Sequence, residues 1–330
     1  MSYDGKIMRR ALVRFDEDKQ RRAEAFEQRR DALYARVPRL KEIEQELKGT
    51  LPQIIASALR RGTDPKPAIN VLRDSNLELQ RERAELLALH GYDADYLDEQ
   101  PRCALCRDSG YHGEAVCRCL REYYTREQIA ELSKLLKMGS ETFESFNFDW
   151  YSADRNNRSR SPREAAERNY DACQDYARQF SQRSGNLLLF GPPGLGKTFL
   201  STCIARVVSE RGYSVVYDTA CTIFEQFEVA KFHRDEGEAA EDVKRYMECD
   251  LLIVDDLGTE MTTSFVQSAL YQLINGRLVA GKKTIINTNL KLAEIGQRYG
   301  AQVLSRIEGE YQRLPFIGED IRKLKREKQS

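Results

Sequence analysis

The sequence predicts an α/β fold, in which a parallel sheet covered by helices follows a mainly helical N-terminal region. Strand and helix patterns alternate along residues 140–330, as is typical of parallel sheets. A glycine-rich turn at residues 191–198 joins an apolar strand to a helix. The region before residue 98 instead places apolar residues at helical spacings of three and four. These observations divide the 330-residue chain into predicted domains at residues 1–138 and 139–330.

Composition limits the classes of partner. Charged residues make up 32% of the chain and the formal net charge is +0, so binding to nucleic acid would need a local basic patch. No apolar run approaches the roughly 20 residues that a membrane-spanning helix needs. The first residues, Met1–Lys6, lack the apolar core of a signal peptide. We therefore expect a cytoplasmic location and no membrane partner.

The N-terminal region is expected to contain at least three helices. Pro38 should separate two helices before Gly49, because proline disrupts a helix interior, and a third helix is expected over residues 67–90. The apolar stripes are narrow and the charges between them alternate in sign. Both a solvated helix face and a docking surface for the helices of another protein fit this pattern.

Four of the eight cysteines form two close pairs, Cys103 with Cys106 and Cys117 with Cys119. Four thiolates at such spacings predict a tetrahedral Zn²⁺ site, which would be structural because no coordination position stays open. His112 is an alternative ligand, and four cysteines without metal are the remaining alternative. Cysteines 203 and 249 lie beside apolar positions and are expected in the core.

A phosphate-binding loop follows the apolar strand at residues 186–190. Its glycines allow backbone N–H groups to surround phosphates, and the helix that begins near Lys197 adds its positive dipole end. Lys197 is expected to reach the phosphate oxygens of ATP, and the Thr198 hydroxyl to ligate Mg²⁺. The predicted nucleotide-binding residues of this loop are Gly191, Pro192, Pro193, Gly194, Leu195, Gly196, Lys197, Thr198 and Phe199.

A second apolar strand, residues 251–255, ends in two carboxylates and predicts a Walker B element. Asp255 is expected to hold Mg²⁺, directly or through water, and Asp256 to orient and polarise the attacking water. Aspartate is one methylene shorter than the glutamate that often stands at the second position, so we expect slow turnover.

Further elements complete the predicted sheet and its covering helices. The helix over residues 263–280 carries a strongly apolar face, which should pack on the sheet. The other expected strands cover residues 214–217, 284–287 and a segment near 314–317. The other expected helices cover residues 197–210, 221–231 and 239–246.

Two further segments resemble parts of AAA+ ATPases. The strand that begins at Lys283 ends in polar residues and resembles the sensor 1 strand, with Asn289 as the catalytic candidate and Thr288 as its alternative. The Ser-Arg pair that contains Arg306 resembles an arginine finger, which acts on a neighbouring subunit's nucleotide and requires self-association. An ordinary strand end and a surface arginine remain the simpler interpretations.

Together these motifs resemble the AAA+ replicative-helicase loaders of bacteria, the DnaC/DnaI family. Residues 142–151 are similar to the linker that precedes the ATPase domain in that family. The cysteine cluster, with its Asp108–Tyr111 segment, resembles the zinc-bearing N-terminal domain of the DnaI-like branch. The likeness is strong for the ATPase half and weak for the first hundred residues.

The resemblance implies an N-terminal domain that grips a hexameric helicase, and an ATPase domain that binds ATP and single-stranded DNA. It implies an ATP-dependent switch more than a fast enzyme, with a truncated helical lid. Arg322 matches the place of a sensor 2-like arginine, for which an exposed tail cation is the alternative.

Two segments are candidates for contact with single-stranded DNA. Residues 224–234 combine aromatic and basic side chains, although the aromatic residues could instead belong to the core. The second candidate is a Ser/Asn-rich segment, which a mobile solvated loop would also explain. Its basic residues are Arg155, Arg158, Arg160 and Arg163.

Two other functions compete with the loader. An IstB-type transposition helper shares the ATPase half and would bind duplex DNA and a transposase, but its resemblance does not account for the cysteine cluster. A non-catalytic adaptor, in which nucleotide only fixes shape, conflicts with the intact set of Lys197, Asp255, Asp256 and Arg306.

Overall fold

The computed structural model describes residues 3–59, 66–135, 141–155, 159–232 and 238–329. The chain forms two compact units. One combines the residues up to Val13 with those from Arg118 onward, and the other is Arg14–Cys117. The predicted domain boundary at residues 138 and 139 lies outside the described residues, so the functional division at that point stays a prediction.

The N-terminal region is helical, as the apolar spacing predicted. Pro38 begins the second helix, whose bounds extend past Gly49. The helices are α1 (Gly5–Arg36), α2 (Pro38–Leu59) and α3 (Lys66–Leu89). Strands β1 (Tyr111–His112) and β2 (Ala115–Val116) form a small antiparallel hairpin. The core of the Arg14–Cys117 unit is small and consists of Leu33, Val37, Leu40, Leu87 and Leu97.

The larger unit is built on a five-stranded parallel sheet with the order β4-β5-β6-β3-β7. Its strands are β3 (Asn186–Phe190), β4 (Val215–Thr219), β5 (Leu251–Leu257), β6 (Lys283–Thr288) and β7 (Tyr311–Pro315). Its helices are α4 (Arg118–Leu135), α5 (Pro162–Gln179), α6 (Lys197–Glu210), α7 (Ala220–Phe232), α8 (Glu238–Glu248), α9 (Ser264–Val279), α10 (Leu292–Tyr299), α11 (Ala301–Glu310) and α12 (Ile321–Gln329).

Helices cover both faces of this sheet, which confirms the predicted α/β class. On one face, the predicted apolar side of α9 is buried against the strands. On the other face, α5 and α6 pack against the sheet through residues such as Phe180, Leu200 and Ile204. Cys203 and Cys249 are both buried, as expected for small core residues. Strands buried on both faces explain the near-continuous apolar runs in the sequence.

Several strand bounds differ from the prediction, and the differences in β7 and β5 have a clear physical reason. The last strand is Tyr311–Pro315 and not a segment near 314–317, because Tyr311 pairs with Asn186 at the start of β3. Strand β5 continues past Asp255 to Leu257 through a register shift between Val254 and Leu257. A shift of this kind is not visible in the apolar pattern, which stops at the first aspartate.

A single helix, α12, follows β7 in the described part of the chain, where a full AAA+ module has a multi-helix lid. The backbone N–H of Ile321 donates to the Gly194 carbonyl at 3.1 Å, which fixes the start of α12 beside the glycine-rich loop. Among the described residues, no helix combines the length and the apolar character needed to cross a membrane.

Candidate nucleotide and metal sites

The glycine-rich loop between β3 and α6 depends on backbone conformations that favour glycine. Gly191, Gly194 and Gly196 have φ values of 137°, 75° and 85°. A Cβ at Gly191 would overlap the carbonyl of Phe316, and a Cβ at Gly194 would overlap the carboxylate of Asp320. The loop therefore has both a conformational and a steric reason for glycine at these positions.

Lys197 lies at the centre of this loop and is almost fully buried. Its ammonium donates to the carbonyls of Gly191 at 2.7 Å and Pro192 at 2.8 Å, and to Oδ1 of Asn289 at 2.8 Å. Burial lowers the pKa of Lys197 to about 8, although Asp256 and Asp255 favour its charged form. The three acceptors are neutral, so a bound phosphate would be a better partner for this cation.

Thr198 and Asp255 form the candidate magnesium site. The Thr198 hydroxyl donates toward the two carboxylate oxygens of Asp255, at 3.3 Å and 3.2 Å. A hydroxyl and a carboxylate are the hard oxygen ligands that Mg²⁺ takes, usually together with water and phosphate oxygens. These two side chains therefore fit a magnesium ion bound with ATP, and both are where the sequence predicted them.

The register shift in β5 exposes Asp256. This residue has a φ of 53°, in the left-handed region that few non-glycine residues adopt. Whereas Asp255 is buried, Asp256 is exposed and lines the pocket beside the loop. Burial of its carboxyl group and the nearby charge of Asp255 raise the pKa of Asp256, which makes its carboxylate a better base.

A pocket of about 560 Å³ lies against the loop and brings most of the predicted residues together. Lys197, Thr198, Asp256, Asn289 and Arg322 all line it. The neighbouring Thr288 instead turns inward, where its hydroxyl donates to the Leu257 carbonyl at 2.6 Å. Asn289 therefore lines the pocket and Thr288 does not, and the catalytic role of Asn289 stays a prediction.

Arg306 stands apart from this pocket. It is exposed on α11, and none of the hydrogen bonds or ion pairs found among the described residues involves it. Such a position is compatible with action on a neighbouring subunit, and the role stays a prediction.

The sequence reasoning missed an aromatic wall of the pocket. Phe146, Trp150 and Tyr151, in the segment before α5, also line this pocket. The Tyr151 hydroxyl donates to the Leu195 carbonyl at 3.0 Å and so ties this segment to the loop. The available signal was the density of aromatic residues over residues 143–151. This wall offers a flat apolar surface for a nucleotide base.

The four predicted zinc ligands, Cys103, Cys106, Cys117 and Cys119, lie within 4.8 Å of one another, measured between sulfur atoms. The sulfurs of Cys103 and Cys117 are 3.8 Å apart. Tetrahedral Zn–S bonds of about 2.3 Å require sulfur separations of about 3.8 Å, so this group fits a zinc ion. His112 is exposed on β1 and does not belong to the group.

Asp108 supports the first cysteine pair. Its carboxylate accepts N–H bonds from Arg102 at 3.0 Å and Cys103 at 2.9 Å, and pairs with the Arg22 guanidinium at 2.8 Å. Burial disfavours the charged form, but these donors outweigh it and lower the pKa of Asp108. The Asp108–Tyr111 segment therefore holds the backbone of Cys103 in place.

Comparison with known proteins identifies the larger unit. The model of the IstB-like ATP-binding protein family matches residues 117–328. The chain belongs to this family. The protein is therefore a P-loop ATPase by family, and the pocket beside Lys197 is its candidate ATP site.

Curated relatives fall into two groups. The ATP-binding protein of insertion sequence IS5376 from Geobacillus stearothermophilus is 29% identical over 126 residues, which are 38% of this chain and 49% of that protein. The replicative helicase loader DnaC of Escherichia coli strain K12 is 24% identical over 136 residues, or 41% and 55% of the two chains. The chain thus spans about half the length of these relatives.

The solved structures include one described as the DnaC helicase loader. It has a TM-score of 0.43 and 24% identity to this chain, and the match covers 53% of this chain and 98% of that one.

Two of the three aromatic rings in the first candidate DNA-binding segment belong to the core of this IstB-like protein. Phe224 and Phe227 are buried beside the sheet, so the interpretation of these two rings as stacking platforms is wrong. Their burial follows from their positions on the sheet-facing side of α7. Phe232 is 63% exposed, with the Lys231 ammonium 5.5 Å from its ring. Residues 233 and 234 lie outside the described residues.

The second candidate segment is partly neutralised by carboxylates. Arg155 pairs with Glu164 at 2.5 Å, and Arg163 pairs with Glu167 at 3.2 Å. Arg160 is exposed, and Arg158 lies outside the described residues. Of the basic side chains that the structure describes in both segments, Lys231 and Arg160 have no carboxylate partner within ion-pair distance.

Proposed function

We propose that this protein is an ATP-dependent loader that places the replicative DNA helicase on single-stranded DNA. The four-cysteine cluster is the observation that carries this proposal. Two of its cysteines, Cys103 and Cys106, precede the residues that match the IstB-like family, and a zinc-bearing N-terminal region is what the DnaI-like resemblance implies. The resemblance to a transposition helper does not account for these four cysteines.

The proposed division of labour follows the predicted domains at residues 1–138 and 139–330. Residues before the ATPase domain grip the helicase, and the ATPase domain binds ATP and single-stranded DNA. Lys197 would donate to the phosphates of bound ATP in place of its three neutral acceptors. Asp256 then accepts a proton from the attacking water, with Asn289 beside the same pocket, and Arg306 acts on a neighbouring subunit.

A transposition helper is the second candidate, and specific comparisons favour it. The three insertion-sequence relatives are 29–33% identical to this chain, whereas the DnaC relatives are 24% identical. This function predicts binding to duplex DNA and to a transposase.

Co-elution with the replicative helicase of the same source, with and without ATP, tests the proposal. We expect a stable complex for the wild-type protein and for Lys197→Ala, because the predicted helicase contacts lie before the ATPase domain. Lys244→Ala, an exposed lysine outside the nucleotide pocket, is the matched control. If no complex forms under either condition, the loader function is wrong, and duplex DNA with transposase becomes the partner to test.

A further inference from the structure

Asp255 is held by hydrogen bonds from both of its neighbouring strands. The Tyr217 hydroxyl, on β4, donates to Oδ2 of Asp255 at 2.7 Å. The Asn287 amide, on β6, donates to Oδ1 at 2.8 Å. Tyr217, Asn287 and Asp255 are all buried, at 2%, 1% and 5% exposure. Each carboxylate oxygen therefore has its own buried side-chain donor.

These contacts continue into the helix that follows the phosphate-binding loop. The Ser201 hydroxyl, on α6, accepts from the Asn287 amide at 2.8 Å and donates to the Thr198 carbonyl at 3.0 Å. The hydroxyl of Tyr217 lies 3.3 Å from that of Ser201. One connected group of hydrogen bonds thus joins three strands and α6 around the candidate magnesium ligands.

We propose that Tyr217 and Asn287 are positioning residues that fix the Asp255 carboxylate for magnesium. The inference rests on the proposed assignment of Asp255 to magnesium in the ATP site. Neither side chain lines the nucleotide pocket, so neither touches ATP. Their effect passes through the orientation of Asp255.

The physical reason is the rotational freedom of a carboxylate. Magnesium requires near-ideal octahedral geometry, so a ligand that rotates loses affinity for it. Donors from two opposite sides fix the plane of the Asp255 carboxylate and leave its oxygens facing Thr198. Side chains that orient a metal ligand typically change metal affinity by about 10-fold to 100-fold when removed.

Tyr217→Phe tests this role, because it removes only the hydroxyl. Binding of Mn²⁺, measured by electron paramagnetic resonance in the presence of a non-hydrolysable ATP analogue, is the main readout. We expect Mn²⁺ affinity to fall by about 10-fold or more. Affinity for the analogue in EDTA should stay at the wild-type value, because Tyr217 does not touch the nucleotide.

The chain offers a matched control in Tyr246. Its buried hydroxyl also donates to a carboxylate, Oδ2 of Asp218, at 2.8 Å, but Asp218 is not a candidate magnesium ligand, whereas Asp255 accepts from the Thr198 hydroxyl. Tyr246→Phe should therefore leave Mn²⁺ affinity unchanged. If both substitutions weaken Mn²⁺ binding equally, or if Tyr217→Phe binds Mn²⁺ as the wild type does, the inference is wrong.

Two more variants keep the test decisive. Asn287→Ala removes the second donor without adding bulk, and it serves if Tyr217→Phe does not fold; its Mn²⁺ affinity should fall in the same way. Asp255→Asn tests the underlying assignment. Wild-type Mn²⁺ affinity in Asp255→Asn would overturn both that assignment and the inference, whereas loss in Asp255→Asn alone would overturn only the positioning role.

Discussion

At the scale of single residues, the lysine of the candidate nucleotide site is hydrogen-bonded to neutral groups. Lys197 is bound by two carbonyls of its own loop and by Asn289. Burial lowers the pKa of the ammonium to about 8, although the nearby Asp256 and Asp255 favour its charged form. A triphosphate would add negative charge beside the ammonium, which favours binding of ATP over an uncharged ligand.

Asp256→Asn should separate ATP binding from hydrolysis. The amide keeps the size of the carboxylate but cannot accept the proton of the attacking water. We expect kcat to fall by roughly 100-fold or more, with the affinity for ATP retained. Asp175→Asn, an exposed aspartate on α5, is the control. Hydrolysis at the wild-type rate in Asp256→Asn would show that another group activates the water.

Residues with chemical motifs were predictable from the sequence, whereas their supports were not. Lys197 and Asp255 were predictable because each belongs to a short continuous motif. Lys197 lies in the phosphate-binding loop, and Asp255 ends an apolar run. Tyr217 and Asn287 lie inside apolar strands, where a polar residue gives no sign of its partner. Their partner, Asp255, is distant in sequence and comes close only when the strands pair.

At the scale of secondary-structure elements, charged contacts attach the first residues of the chain to the ATPase unit. Asp4 pairs with Arg245 on α8, and Glu131 on α4 pairs with the same arginine at 3.0 Å. Glu131 also pairs with Arg10. Three separate segments therefore meet through a small group of opposite charges. Two long-range pairs with low exposure are worth more than isolated surface pairs.

Glu131→Gln should lower stability in a pH-dependent way. Burial disfavours the Glu131 carboxylate, but Arg10 and Arg245 outweigh it and lower its pKa. The stabilisation is therefore present above the unfolded pKa and is lost as pH falls through the folded value. We expect a decrease of about 1–3 kcal/mol in the free energy of unfolding at pH 7, which shrinks below pH 4.5.

Urea unfolding of Glu131→Gln at several pH values checks this expectation. Glu122→Gln is the control, because Glu122 is exposed on the same helix. A loss of stability that stays constant down to pH 3 would mean that the charge of Glu131 is not its source.

The cysteine cluster should stabilise its own segment and not the nucleotide site. Cys106→Ser removes one of four ligands, so we expect zinc content to fall from about one ion per chain to near zero. ATP affinity should stay nearly unchanged, while helicase binding weakens. Zinc analysis and ATP titration check this, with Cys221→Ser as the control outside the cluster. Purified wild-type protein without zinc would contradict the metal assignment.

Elements were predicted better than their ends. Helix α6 has the predicted bounds because the glycine-rich loop before it and Gly212 after it mark both ends. The predicted position of strand β7 was wrong by about three residues at its start. The strand is short, and its polar residues, such as Gln312 and Arg313, interrupt the apolar pattern. The register shift at Asp256 depends on how β5 pairs with β6, so the local sequence could not predict it.

At the scale of the whole molecule, Arg306 tests for a site shared between subunits. Arg306 is exposed and does not line the pocket beside Lys197, so a role in hydrolysis would require contact with a neighbouring copy. Arg306→Ala and Asp256→Asn should each be inactive in hydrolysis, yet a mixture should recover part of the ATPase activity, because some interfaces combine an intact Asp256 with an intact Arg306. Arg313→Ala, an exposed arginine on β7, should stay active alone. A mixture with no recovered activity would contradict action between subunits.

An assay of helicase loading tests whether this protein places the replicative helicase on single-stranded DNA. The assay follows unwinding of a forked duplex by the replicative helicase of the same source, on single-stranded DNA coated with its binding protein. The account predicts that the wild-type protein with ATP permits unwinding, and that Lys197→Ala binds the helicase but does not load it. The loader function would be wrong if unwinding did not depend on this protein, or if Lys197→Ala supported as much unwinding as the wild type.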